Sequence, residues 1–104
     1  MTEQEFQDQV IAMATILGWK CHHVRPGITS NGRYMTHVQG HVGFPDLVMA
    51  HPTRGVIFAE LKSDTGRISD AQKDWIIVLS EADAEVHVWR PVDLSTIQRR
   101  LEGK

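Results

Sequence analysis

An α/β fold is predicted for this 104-residue chain by three features of its sequence. Apolar residues recur at helical spacing in two long segments. Two apolar runs, Asp46–Ala50 and Val56–Lys62, flank the turn-like stretch "HPTRG". The run "EVHVW" then alternates in the manner of a strand. Together they give the element order αβββαβα.

The elements follow in chain order. Thr2 is suited to cap the first helix, with Glu5 three residues on to complete a capping box. Phe6, Val10, Met13, Ala14 and Leu17 form its apolar stripe, and Gly18 ends it. "WKCHHV" reads as a short strand. Arg25 to Pro45 holds four glycines and two prolines and reads as a long loop, with a hairpin around Asn31-Gly32. A loop of that length in a small domain is more often functional than not. The two apolar runs are the next strands. Ser69 and Gln72 resemble a second capping box ahead of Trp75, Ile76 and Leu79, a helix to about Glu81. Asp93 is placed to cap a closing helix through Leu101. Trp19, Trp75 and Trp89 each fall inside a regular element and are expected in the core.

Composition bounds the partners. With 41% hydrophobic and 23% charged residues, the chain reads as one compact globular domain over 1–104. No apolar stretch approaches the roughly 20 residues that span a bilayer. The N-terminus is polar and acidic, unlike a signal peptide. Cys21 is the single cysteine, which excludes an internal disulfide and fits a cytoplasmic protein. A net charge of −2 argues weakly against nucleic acid. Its distribution argues the other way, because Gln9 to Pro45 carries no acidic residue while holding Lys20, Arg25, Arg33, His22, His23, His37 and His41.

The charges within the apolar runs carry the chemistry. If "HPTRG" turns an antiparallel hairpin, Ala50 faces Val56 and Asp46 faces Glu60, with side-chain carbons roughly 5 Å apart. Alternation sets Glu60 and Lys62 on one face, at the tip of strands that are otherwise apolar on both faces. Opposed carboxylates in a partly buried place repel unless a cation neutralises them, and hard oxygen ligands suit Mg²⁺ or Mn²⁺. Lys62 is then placed to orient a nucleophile and offset negative charge on a phosphate. A zinc site at His37-x-x-x-His41 is the poorer reading, since the segment lacks helical periodicity and no C-x-x-C pair is present.

Pro45-Asp46 followed by Glu60-x-Lys62 resembles the PD-(D/E)xK nucleases. The stretches "TEQEFQDQVIAMATILGWKCHHVRP", "QGHVGFPDLVMA", "IFAELKSDTGRISDAQKDWIIVL" and "AEVHVWRPVDL" extend the likeness over most of the chain to the VRR-NUC (virus-type replication and repair nuclease) family. That resemblance implies a restriction-endonuclease-like core, a mixed central sheet flanked by helices, and metal-dependent hydrolysis of DNA. It further implies metal ligands at Asp46, Glu60 and the carbonyl of Leu61, and a catalytic lysine at Lys62. The first helix often supplies another glutamate. Glu3 lies about 40° from the centre of the apolar stripe and Glu5 about 120°, so Glu3 is preferred. Gln72 matches a family glutamine besides its capping role, and His23 a histidine that follows Gly18-Trp19. Arg25, Arg33 and Arg67 are candidate phosphate contacts. Asp83 stands where a glycine is expected before the last strand. Standalone members resemble Holliday-junction resolvases, which implies branched or duplex DNA as substrate, a homodimer, and frequent occurrence in phage genomes, hence the host cytoplasm. A DNA-binding module that kept the fold without turnover is the alternative, and the intact Asp46, Glu60 and Lys62 set favours the enzyme.

Overall fold

The structure is a computed structural model, and it describes residues 1–23, 27–28, 34–35 and 39–104. The helix α1 spans Glu3–Ile16, followed by β1 at Lys20–His23. Two short strands, β2 at Gly27–Ile28 and β3 at Tyr34–Met35, pair antiparallel on either side of the Asn31-Gly32 segment, which lies outside the described residues. They form a small separate sheet that the order αβββαβα does not contain. Then come β4 at Leu47–His51, β5 at Gly55–Leu61, α2 at Asp70–Glu81 and β6 at Glu85–Trp89. A 3₁₀ turn at Pro91–Asp93 leads into α3 at Leu94–Leu101.

The main sheet has the order β1-β4-β5-β6, with β1, β4 and β5 antiparallel and β6 parallel to β5. It is a mixed sheet with helices on both faces, the restriction-endonuclease-like architecture. The β4–β5 register pairs Ala50 with Val56 and Leu47 with Ala59, as a turn within "HPTRG" requires. One sheet face (Leu47, Met49, Ile57, Ala59, Leu61) is fully buried against Phe6, Val10 and Ala14 of α1 and Ile97 and Leu101 of α3.

The other face is not the second buried layer that the apolar pattern predicts. Val56 is 49% exposed, Ala50 is exposed, and Val48 and Phe58 are half-buried. The helix α2 packs over β6 and buries none of its own residues. Toward the strand tips, Phe44 meets Phe58 and Trp75 edge-on at 5.9 and 4.9 Å. Trp75 therefore lies half-exposed, while Trp19 and Trp89 are core residues.

The caps follow their sequence signals with two differences. Thr2 accepts the Glu5 N–H, and its hydroxyl donates to Glu5 Oε1, so the reciprocal bond runs between side chains. Asp93 stands at the N-cap of α3 as expected but makes no side-chain capping bond there; its carboxylate accepts the N–H of Arg90 at 2.9 Å and closes the 3₁₀ turn instead. Asp83 adopts φ +62°, the left-handed conformation that a glycine would take without a Cβ penalty.

Gly43 brings the chain ahead of β4 against the start of α2. Its φ is +94°, and a Cβ there would sit 2.5 Å from the carbonyl carbon of Ala71 in the first turn of α2. The chain leading to Asp46 thus lies directly on α2. Gly43→Ala is expected to cost roughly 2 kcal/mol or more, from left-handed strain plus a backbone clash. That corresponds to a fall of about 10 °C in Tm on thermal melting. An unchanged Tm would mean that this approach does not constrain the folded protein.

Candidate active site

The tip where β4 begins and β5 ends gathers Asp46, Glu60 and Lys62. Asp46 precedes β4 by one residue, directly after the buried Pro45, and Lys62 follows β5 by one. The hairpin register carried one step further brings the two carboxylates together. The Asp46 N–H donates to Glu60 Oε2 at 3.3 Å, and the Leu61 N–H donates to Asp46 Oδ2 at 3.2 Å. Each acid is thus held by main chain from the other's strand. The Leu61 side chain is fully buried in the core, so its contribution at the tip is main chain alone.

Glu60 is the buried charge of this cluster, 1% exposed. Its Oε1 receives a 2.7 Å hydrogen bond from Gln72 Nε2 and lies 3.5 Å from Lys62 Nζ. Burial first, and then the neighbouring Asp46 charge, push the Glu60 carboxyl up to about 7 against the opposing pull of Lys62. The ion pair with Lys62 is not a solvated surface contact, since the lysine side chain is only 15% exposed. Repulsion and desolvation at this place outweigh the attraction of a single ammonium.

Gln72 serves two roles at once. Its Oε1 accepts the Ser69 N–H at 2.9 Å, while Ser69 Oγ accepts the Gln72 N–H at 3.2 Å, the full capping box of α2. A backbone N–H can only donate, so the amide orientation is fixed and Nε2 is directed to Glu60.

The remaining predicted residues are distributed more widely. Glu3 is exposed in the first turn of α1, and among the described residues no group of three or more His, Cys, Asp or Glu could hold a metal. Glu3 is thus not gathered with Asp46 and Glu60 in this structure. The polar side chain that α1 does bury is Gln7, one turn further in on the same side. At about 80° from the centre of the apolar stripe, Gln7 gave no signal of burial.

His23 ends β1 opposite Leu47, beside the start of β4, but that pairing sets it on the α1 face with Leu47. His22, paired with Val48, is the histidine on the carboxylate face, and it is exposed. Arg67 is exposed on the loop between Lys62 and α2. Arg25, Arg33 and His37 lie outside the described residues. His41 borders an open groove of about 580 Å³ with Trp75, Val42 and Val78, and its carbonyl accepts the Trp75 indole N–H at 3.2 Å.

Two comparisons bear on this arrangement. Residues 27–93, more than half of the chain, match the VRR-NUC domain. A stretch of 47 residues is 43% identical to the Fanconi-associated nuclease 1 homolog of Schizosaccharomyces pombe, covering 44% of this chain and 7% of that protein. The chain thus matches only a small part of that relative's length. No solved structure gives a match.

Proposed function

Because the chain belongs to the VRR-NUC family, and so to the nucleases of the PD-(D/E)xK type, we propose that it is a divalent-metal-dependent DNA endonuclease acting on branched DNA. The observation that carries this reading is the contact between Asp46 and Glu60, one of them buried, with Lys62 on the same carboxylate. A structural ion pair needs one acid, and the second acid adds repulsion that a bound cation relieves once Glu60 gives up its proton.

The donor set fits such a cation. Two carboxylates in contact match Mg²⁺ or Mn²⁺, which bind through one or two carboxylates and otherwise keep their waters. Asp46 and Glu60 would hold it, with the main-chain carbonyl of Leu61 beside them. When bound, it would supply Lewis-acid polarisation of the scissile phosphate. The protein's own groups do the rest. Lys62 offers a donor where negative charge builds up on the phosphate and orients the attacking water. Gln72 keeps Glu60 turned toward Asp46. Arg67 faces solvent on the adjoining loop, where it can meet the DNA backbone and position the substrate.

Cleavage of a four-way junction takes two symmetric cuts, and a two-fold homodimer supplies one site for each strand. We extend the reading to such a dimer, and to a cytoplasmic protein, the host's cytoplasm if the gene is a phage's. Among the described residues no helix is long and apolar enough to cross a membrane. The test is a panel of end-labelled junction, flap, nicked and linear DNAs with Mg²⁺, Mn²⁺ or a chelator. Paired symmetric cuts in the junction are expected with either ion and none with chelator. Binding without cleavage of any member would leave a DNA-binding module. A monomer mass by light scattering, with and without junction, would leave nicking or flap cleavage.

A further inference from the structure

The turn that follows Lys62 is tied down from the neighbouring strand. Arg90, the residue after β6, sends a single guanidinium nitrogen, Nη1, to the carbonyls of Ser63 and Gly66 at 2.6 and 2.7 Å. The Gly66 N–H closes the same turn onto Ser63 at 3.2 Å. Arg90 is itself held, since its N–H donates to Asp93 and the preceding residue, Trp89, accepts the Lys62 N–H at 3.0 Å. The turn in return walls in the lysine. A Cβ on Gly66 would meet Lys62 Cδ at 3.4 Å and Ser63 Oγ at 3.1 Å, so backbone lies close against the lysine stem.

We propose that Arg90 is a positioning residue for Lys62, fixing the Ser63–Gly66 turn against which the lysine lies; this rests on the reading of Lys62 as a group of the reaction. A lysine has a long stem with several rotatable bonds, and an ammonium aimed by its own Coulomb attraction alone would sample many positions. Displacing a reacting group by about 1 Å is enough to cost roughly 10²-fold in rate. Arg90 touches neither carboxylate, so its removal leaves the proposed cation ligands in place. Because one nitrogen makes both bonds, a lysine ammonium at this position can make the same two.

The experiment compares wild type, Arg90→Met and Arg90→Lys in steady-state cleavage of the DNA that wild type cuts best. Arg90→Met keeps the apolar stem and loses the donor. It is expected to lower kcat by about 10²-fold, with KM for DNA and Mn²⁺ affinity within about threefold of wild type. Arg90→Lys is expected to recover most of that loss. Four results would overturn the assignment. These are an unchanged kcat in Arg90→Met, a loss confined to KM, a lysine variant as poor as the methionine one, and an Arg90→Met protein unfolded at the assay temperature. The last would make Arg90 a structural residue only. A wild type that cuts no DNA under any condition fails differently, sinking the nuclease reading and this inference with it.

Discussion

Lys62→Ala is expected to slow single-turnover DNA cleavage by roughly 10²- to 10³-fold, the loss seen when one donor to a developing anion is removed. DNA affinity should stay within a few fold, because phosphate contacts elsewhere carry most binding and one ammonium is a small part of them. The structure gives the substitution a second effect of the same sign. Lys62 lies 3.5 Å from Glu60, and it opposes the upward shift of that carboxyl. Its loss lets Glu60 hold its proton to still higher pH, so a cation must compete harder for the site. Quenched-flow cleavage and a filter-binding titration on the same junction separate the two quantities. A variant that cuts within about fivefold of wild type removes Lys62 from the reaction.

Glu60→Gln should abolish the pH dependence of metal-free stability that arises at this site. The Glu60 carboxyl titrates at about 7 in the folded protein against an ordinary 4.5. The folded state therefore binds this proton more tightly than the unfolded chain. The stability it contributes is full below about pH 4.5 and is lost as the pH rises through 7, a loss of at most about 3 kcal/mol. A glutamine titrates nowhere in this range and removes one of the two opposed charges. Without metal, the Tm difference between variant and wild type should grow in the variant's favour from pH 5 to pH 8. Mn²⁺ at pH 8 should restore wild type, which binds it in the folded state, and should do little for the variant. Titration calorimetry should find Mn²⁺ affinity weaker by at least about tenfold in Glu60→Gln. Equal affinities, or a Tm difference flat with pH, would remove the buried acid pair from metal binding.

Local signals in the sequence carried the elements that position this site. "HPTRG" between two apolar runs determines the hairpin register, and register alone brings Asp46 to Glu60. The Ser69–Gln72 spacing marks the start of α2 as observed. What the sequence does not reveal is which layer covers which face. Val48, Val56 and Phe58 are as apolar as the residues behind them, but α2 lies over β6 and leaves them partly open. A hydrophobic pattern records suitability for burial and not the presence of a neighbour. The same limit explains Gln7, whose burial depends on where α1 meets the sheet, and His23, whose face depends on the pairing of β1 with β4. Arg90 was silent for another reason: its partners are main-chain carbonyls 27 and 24 residues earlier, which no side-chain spacing encodes.

The amide of Gln72 also narrows what position 72 can be. A capping box accepts glutamate or glutamine with little preference, because the helix needs only an oxygen to receive the Ser69 N–H. Here the other end of the side chain must give a hydrogen to Glu60. A carboxylate can do the first and not the second, and it would bring a third negative charge to a place already holding two. Shorter asparagine would leave one end unmet. The start of an ordinary surface helix is thereby limited to a single side chain by a strand residue 12 positions earlier.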